Sequence, residues 1–263
     1  MPNTGAPCAD ARIEAFDTLG STNTEALSRA RAGERGPLWI AAQQQTAGRG
    51  RRGRAWISPP GNLHATLLLT DPSPAARAAE LSFVAGLAVY DALLETISDL
   101  TGRVSLKWPN DVLCDSAKVA GILIEGEAIG NGLAVAIGIG VNCLQHPSDT
   151  QYPAADLAGA VAAHHLLRIL CRTMAARIAE WDAGRGFAAI RSDWLKHAAG
   201  RGESIRVVVG DEERAGRFDG LDASGHLLLA LADGTTQRIS AGDVFPFSAP
   251  GRANPAAGFP GGA

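Results

Sequence analysis

No apolar run in the 263-residue chain approaches the roughly 18 residues that a membrane-spanning helix requires, so a membrane role is excluded at this level. The N-terminus, MPNTGAPCAD, has no basic stretch followed by an apolar one, and no secretory signal is read there. Cysteine is scarce. Cys8, Cys114, Cys143 and Cys171 stand far apart without a C-x-x-C pair, which excludes a zinc finger or disulfide framework and fits reduced thiols in a cytoplasmic protein. There is no G-x-x-x-x-G-K-[ST] loop, and Gly138-Ile139-Gly140 lacks the third glycine of a dinucleotide fingerprint. His164 and His165 are adjacent rather than four apart, and H-E-x-x-H does not occur, so no zinc-protease centre is indicated. Excess positive charge is absent too: the formal net charge of −3 argues against non-specific nucleic-acid binding over the whole surface.

What is present is an ordinary globular composition, 46% hydrophobic and 19% charged, with material for one large domain or a medium and a small one. Against the acidic balance one stretch stands out. QTAGRGRRGRAW at 45–56 packs Arg49, Arg51, Arg52 and Arg54 among Gly48, Gly50 and Gly53. Glycines let a backbone approach a ligand closely, and guanidinium forks match phosphate and carboxylate oxygens. Four like charges this close repel, so the free loop is expected to be mobile and an anion to order it. Taken alone, the loop also fits a solvated basic segment or an RNA contact.

Thr22-Asn23-Thr24-Glu25 fits a capping box opening a helix through about Ala32. LWIAA at 38–42 and NLHATLLL at 62–69 read as strands, and helical spacing runs from about Ala75 to Leu100. VSLKW (104–108), KVAGILIEGE (118–127) and GLAVAIGIGVN (132–142) read as further strands, the last two apolar enough to be central. Residues 157–183 and 187–198 read as helices. Beyond 198–204 come SIRVVVG, AGRFDGL, HLLLAL and TTQRIS, short strands at barrel-like spacing. The fold expected is therefore α/β (α+β): a mixed, largely antiparallel sheet backed by helices, then a small β-barrel. The boundaries expected are a lead-in at 1–12, a main domain at 13–199, the barrel at 200–248 and a Pro/Gly/Ala-rich disordered tail at 249–263.

A second stretch bears on the anion. KWPNDVLCDSAKVAGILIE (107–125) sets Lys107, Asn110 and Asp111 around Pro109, a rigid mount, with Lys118 three residues before Gly121. Together, STN (21–23), the arginine loop, KWPND with Lys118 and GIL, and GIGVN (138–142) resemble the biotin protein ligases. The likeness runs from about residue 13 to 247 and implies a catalytic α/β domain followed by an SH3-like barrel. With STN at residue 21, the short class without an N-terminal DNA-binding domain is expected.

The resemblance implies a biotin pocket of Ser21, Thr22, Asn23, Gln45, Gly48, Arg49, Gly50, Arg51, Lys118, Gly121, Gly138 and Gly140. It implies an ATP and adenylate site of Arg49, Arg51, Arg54, Trp56, Asn110, Asp111, Lys118 and Asn142, with Lys118 and Arg51 catalytic and Trp56 stacking on adenine. The substrates implied are biotin and ATP with Mg2+, with no permanently bound cofactor and no magnesium ligand assigned. The acceptor implied is a lysine of a biotin carboxyl carrier protein or domain, reached through biotinyl-5′-AMP. A homodimer through a sheet edge is left open. Two alternatives also stay open: lipoate ligation, which would form lipoyl-adenylate instead, and a nucleic-acid-binding module, whose affinity would fall steeply with salt and ignore biotin.

Overall fold

The computed structural model describes residues 11–148, 150 and 152–246. Most of the expected lead-in, with Cys8, and the expected tail lie outside the described residues.

Seven strands form the first sheet: β1 (Arg12–Leu19), β2 (Leu38–Gln45), β3 (Leu63–Thr70), β4 (Val104–Lys107), β5 (Asp111–Cys114), β6 (Ala117–Ile129) and β7 (Gly132–Val141). Their order is β1-β2-β3-β7-β6-β5-β4. Among these strands only β1 and β2 pair in parallel; every other neighbour is antiparallel, as expected. Two strands are not evident in the sequence. β1 sits at an edge, carries Arg12, Glu14 and Asp17, and is half exposed, so it lacks an apolar signature. β5 is four residues long and hides behind Pro109.

Three helices cover one face: α2 (Leu81–Thr96), α3 (Ala163–Trp181) and α4 (Phe187–Lys196). Leu67, Leu106 and Ile137 of the sheet meet Val84, Leu87, Leu170, Met174, Trp181 and Trp194 in one core, each at most 2% exposed. Burying each such side chain stabilises the fold by roughly 1.5–3 kcal/mol. α2 is apolar nearly all round because it is wedged between sheet, α3 and α4. The long helix expected from Ala75 is broken in two. Ala75–Glu80 forms a tighter 3₁₀ turn, and Glu80 is buried there, accepting a 2.7 Å hydrogen bond from Trp181 Nε1. The helix expected from 157 starts only at Ala163, because Ala158 and Gly159 hold left-handed φ of 50° and 73°, outside any right-handed helix.

The opposite face carries α1 (Thr22–Arg31), whose Ala26 and Ala30 pack on Leu38, Ile40, Leu68, Ala134 and Ala136. Two alanines let the helix lie close, and the rest of that face stays open for the site. The cap of α1 is Ser21 rather than Thr22, its hydroxyl accepting from Thr24 N–H.

β8 (Ser204–Val209), β9 (Glu212–Leu221), β10 (Leu227–Ala230), β11 (Thr236–Ile239) and β12 (Asp243–Pro246) make a second, antiparallel sheet in the order β11-β10-β9-β8-β12. Four of these strands are expected from sequence; β12, only four residues and ending in proline, is not. The small unit shares the core of the first sheet through Phe218, Leu227 and Leu229. Trp108 Nε1 donates to Gly225 O at 3.0 Å across the junction. Among the described residues, no helix is long and apolar enough to cross a membrane.

Candidate active site

Strand register puts the site on two rungs of the first sheet. Lys107 pairs with Asp111, Asp111 with Gly121, and Gly121 with Gly140, so one line across four strands reads Lys, Asp, Gly, Gly. Two residues along, Leu123 pairs with Gly138 and Gly138 with Thr66. Side chains alternate faces along a strand, so both rungs look out on the α1 side.

Lys118 would miss this face by simple alternation, since it stands three residues from Gly121. The register between β5 and β6 shifts between Val112 and Leu113, and this bulge turns Lys118 back to the site. Its Nζ then lies 2.5 Å from Asp111 Oδ1, and Lys107 Nζ lies 3.5 Å from Asp111 Oδ2. Burial opposes Asp111's charge, but Lys118, Lys107 and Arg51 outweigh it and hold the carboxyl below the usual carboxylate range. Burial also lowers the Lys107 pKa, with Asp111 pulling the other way. One carboxylate between two ammonium groups leaves a net positive floor.

Beside it is an uncharged polar cluster at the start of α1. Thr22 N–H donates to Gln45 Oε1 at 2.8 Å, and Gln45 Nε2 donates to Ser58 at 2.9 Å. Asn23 is 2% exposed; its Nδ2 donates to Glu125 at 2.8 Å, and its Oδ1 faces Thr66 Oγ1 at 2.6 Å. Thr66 Oγ1 is also 2.8 Å from Thr22 Oγ1. Donors and acceptors are thereby fixed in direction before any ligand arrives.

Carboxylates and a carbonyl meet the arginine loop in this structure. Arg49 pairs with Glu125 at 3.1 Å, and Asp243 of β12 takes both Arg52 at 3.2 Å and Arg54 at 3.0 Å. Arg51 donates to Asn110 Oδ1 at 3.1 Å and to Gly242 O at 3.4 Å. The repulsion expected to leave the loop mobile is thus offset by carboxylates of β6 and of the second sheet. Burial lowers the Arg51 pKa, with Asp243 opposing. Arg52 at φ 57° and Gly53 at φ 71° close the turn.

Trp56 lies across the glycine pair. A β-carbon on Gly140 would come within 2.5 Å of its indole, and one on Gly121 within 3.0 Å. In this structure the missing side chains make room for the indole, where direct approach of a ligand is the sequence expectation. Among the described residues Trp56 Nε1 is buried without a hydrogen-bond partner, and Lys118 Nζ stands 5.4 Å from the ring centroid.

These groups surround a cavity of about 440 Å3. All the expected site residues line it except Gly48. Gly48 serves the loop instead: a β-carbon there would lie 2.6 Å from Trp56 O and Ser58 Oγ. Asn142 is reached but partly spent, donating to Ala155 O at 3.0 Å. Lys107, Tyr152, Asp243 and Phe245 line the same cavity without being among the expected site residues. Lys107 is marked in the sequence only by its place in KWPND beside Asp111; the other three reach the site through tertiary packing and carry no local signal.

With that geometry in place, comparison with known proteins is specific. Residues 16–142 match the Biotin/lipoate A/B protein ligase family, and residues 201–245 match the Biotin protein ligase C terminal domain. The biotin–[acetyl-CoA-carboxylase] ligase of Paracoccus denitrificans is 44% identical over 86% of this chain and 96% of its own. A biotin protein ligase from Aquifex aeolicus, solved in complex with biotin and ATP, superposes with a TM-score of 0.73 at 26% identity, over 89% of this chain and 97% of that one. The Leishmania major biotin protein ligase, solved with biotinyl-5-AMP, does so with a TM-score of 0.60 at 27% identity, over 88% and 99%. From the sheet, the site and these likenesses together, the chain belongs to the biotin protein ligase family.

Proposed function

We propose that the protein attaches biotin to a lysine of a carrier protein at the expense of ATP, through biotinyl-5′-AMP. One observation supports the reading above the others: Lys107, Lys118 and Arg51 gather around Asp111 at one end of a cleft whose other end is lined by neutral hydrogen-bonding groups. The neutral end, Ser21, Thr22, Asn23 and Gln45, suits the ureido ring of biotin, which needs both donors and acceptors when buried. The cationic end suits the two anions that must meet.

In the first step a biotin carboxylate oxygen attacks the α-phosphorus of ATP. A carboxyl–phosphate bond forms, the bond to the β-phosphate oxygen breaks, and pyrophosphate leaves. Lys118 and Arg51 offset the charge that accumulates there. Mg2+ enters as the Mg–ATP substrate complex. In the second step the carrier's lysine amine attacks the acyl carbon, AMP leaves with the bonding pair, and the amine loses a proton. No acyl-enzyme is needed. The acceptor proposed is a biotin carboxyl carrier domain; the Paracoccus denitrificans relative is named for acetyl-CoA carboxylase, which supports a carboxylase as its source.

The mixed anhydride hydrolyses readily, so the arginine loop has a retaining task as well. Arg51→Gly removes the link from loop to Asn110 and Gly242. Faster escape of biotinyl-AMP is expected, seen as biotinylation of bystander lysines on added serum albumin; an unchanged adenylate lifetime would remove Arg51 from this role. Trp56 must leave the glycine pair for a ligand to lie on the sheet. Biotin alone should therefore change tryptophan emission, and Trp56→Phe should abolish the change although four other tryptophans remain. Unaltered emission on biotin binding would show that the indole stays in place. The reaction itself is tested by incubating the protein with labelled biotin, Mg–ATP and a carrier domain. Label on one carrier lysine is expected; transfer of lipoate but not biotin would reverse the assignment.

A further inference from the structure

Lys107 is 9% exposed, yet its ammonium is not matched by charge alone. Its Nζ stands 3.4 Å from the ring centroid of Tyr152 and 5.8 Å from that of Phe245. The two rings lie 6.3 Å apart, tilted by 52°, and flank the ammonium, with Asp111 nearby at 3.5 Å. Tyr152 follows β7 in the chain, whereas Phe245 belongs to β12 of the second sheet, so two remote segments converge on one cation. An aromatic face attracts a cation without consuming its charge, and the attraction grows as water is excluded. A carboxylate in the same place would instead neutralise the group.

We propose that Tyr152 and Phe245 are positioning residues for the adenylation step, holding the Lys107 ammonium at the cavity, charged and available to the nucleotide phosphates. The inference rests on the ligase reading given above and deepens it. It also gives the second sheet a part in the chemistry: β12 supplies one wall of the holder while its Asp243 fixes the arginine loop. Tyr152 and Phe245 act through Lys107, and that is what separates this role from simple packing.

The experiment is a calorimetric titration of Mg–ATP into the biotin-loaded full chain, after wild type has been shown to form biotinyl-AMP. Tyr152→Leu, which keeps bulk and removes the ring face, is expected to weaken ATP binding about tenfold. Its affinity for biotin should stay within about twofold, and Tyr152→Phe should restore ATP binding. Phe245→Leu, farther from the ammonium, should weaken ATP binding less. In a Lys107→Met background, Tyr152→Leu should add no further loss, because the group it positions is gone. ATP affinity equal to wild type in Tyr152→Leu would overturn the proposal. So would an equal loss with and without Lys107, or a loss that Tyr152→Phe does not repair. A wild-type protein that makes no biotinyl-AMP would overturn the ligase reading itself and would be seen before any variant is compared.

Discussion

Lys118→Ala is expected to slow biotinyl-AMP formation by about a hundredfold to a thousandfold, the range for losing one preorganised charge at a reacting oxygen. The ammonium stands 2.5 Å from Asp111 and beside Gly121, at the cationic end of the cleft where the carboxylate and phosphate are proposed to meet. Neither neighbour replaces it: Lys107 meets the other oxygen of Asp111, and Arg51 is held by Asn110 and Gly242. Stability should fall as well, by about 1–3 kcal/mol, because buried Asp111 loses its nearer partner while keeping Lys107. The pH dependence follows from the sign of the Asp111 shift. A carboxyl whose folded pKa is depressed adds stability above its unfolded value, near 4, and loses that contribution as pH falls. The gap in Tm between wild type and Lys118→Ala should therefore be full at neutral pH and close in acid. Stopped-flow adenylation and a Tm series against pH measure the two effects separately. An adenylation rate equal to wild type would take Lys118 out of the mechanism.

Gly138→Ala carries the second large effect. The added carbon would sit 2.3 Å from Asn23 Oδ1, and Asn23 has nowhere to go. It is 2% exposed and is tied to Thr66, Glu125 and the Leu123 carbonyl. Either the amide leaves its network or the N-terminus of α1 moves off the sheet. Overpacking of this kind costs about 1–3 kcal/mol. Biotin affinity is expected to fall by about a hundredfold, since displaced polar groups at the proposed ureido end are left unmatched. Gly126→Ala, farther along β6 and outside the cavity lining, is the comparison. Its nearest contact would be an ordinary 3.7 Å to Leu133, and binding close to wild type is expected. Equal biotin affinity in the two variants, read by calorimetry, would remove Asn23 from the pocket.

Local signals bring much of this site into view. Four arginines among three glycines, KWPND and the paired glycines of GIGVN are short, dense motifs, and the family likeness follows from them. What stays hidden depends on register and on distance along the chain. A bulge at Val119 of β6, opposite Val112 and Leu113, decides that Lys118 faces the site, and no periodicity announces a bulge. Asp243 balances Arg52 and Arg54 from nearly two hundred positions away, so the loop looks more repulsive in sequence than in space. Ser21 caps α1 in place of Thr22 because Thr22 is drawn to Gln45 and Thr66, partners supplied by neighbouring strands. The edge strand β1 escapes for a different reason: none of its residues is fully buried, so no apolar alternation announces it. Helix ends shift from their expected places where left-handed residues or a buried Glu80 turn the chain.

One cleft is proposed to join the vitamin's carboxyl to the nucleotide over the lysine and arginine cluster. The most direct measurement is a crystal structure of the protein with a non-hydrolysable analogue of biotinyl-AMP. The acyl–phosphate junction is expected within hydrogen-bonding distance of Lys118 Nζ, with the ureido ring against Thr22, Asn23 and Gln45 and the Trp56 indole lifted from Gly121 and Gly140. An analogue bound with its junction remote from Lys118, or seated outside this cleft, would contradict the claim.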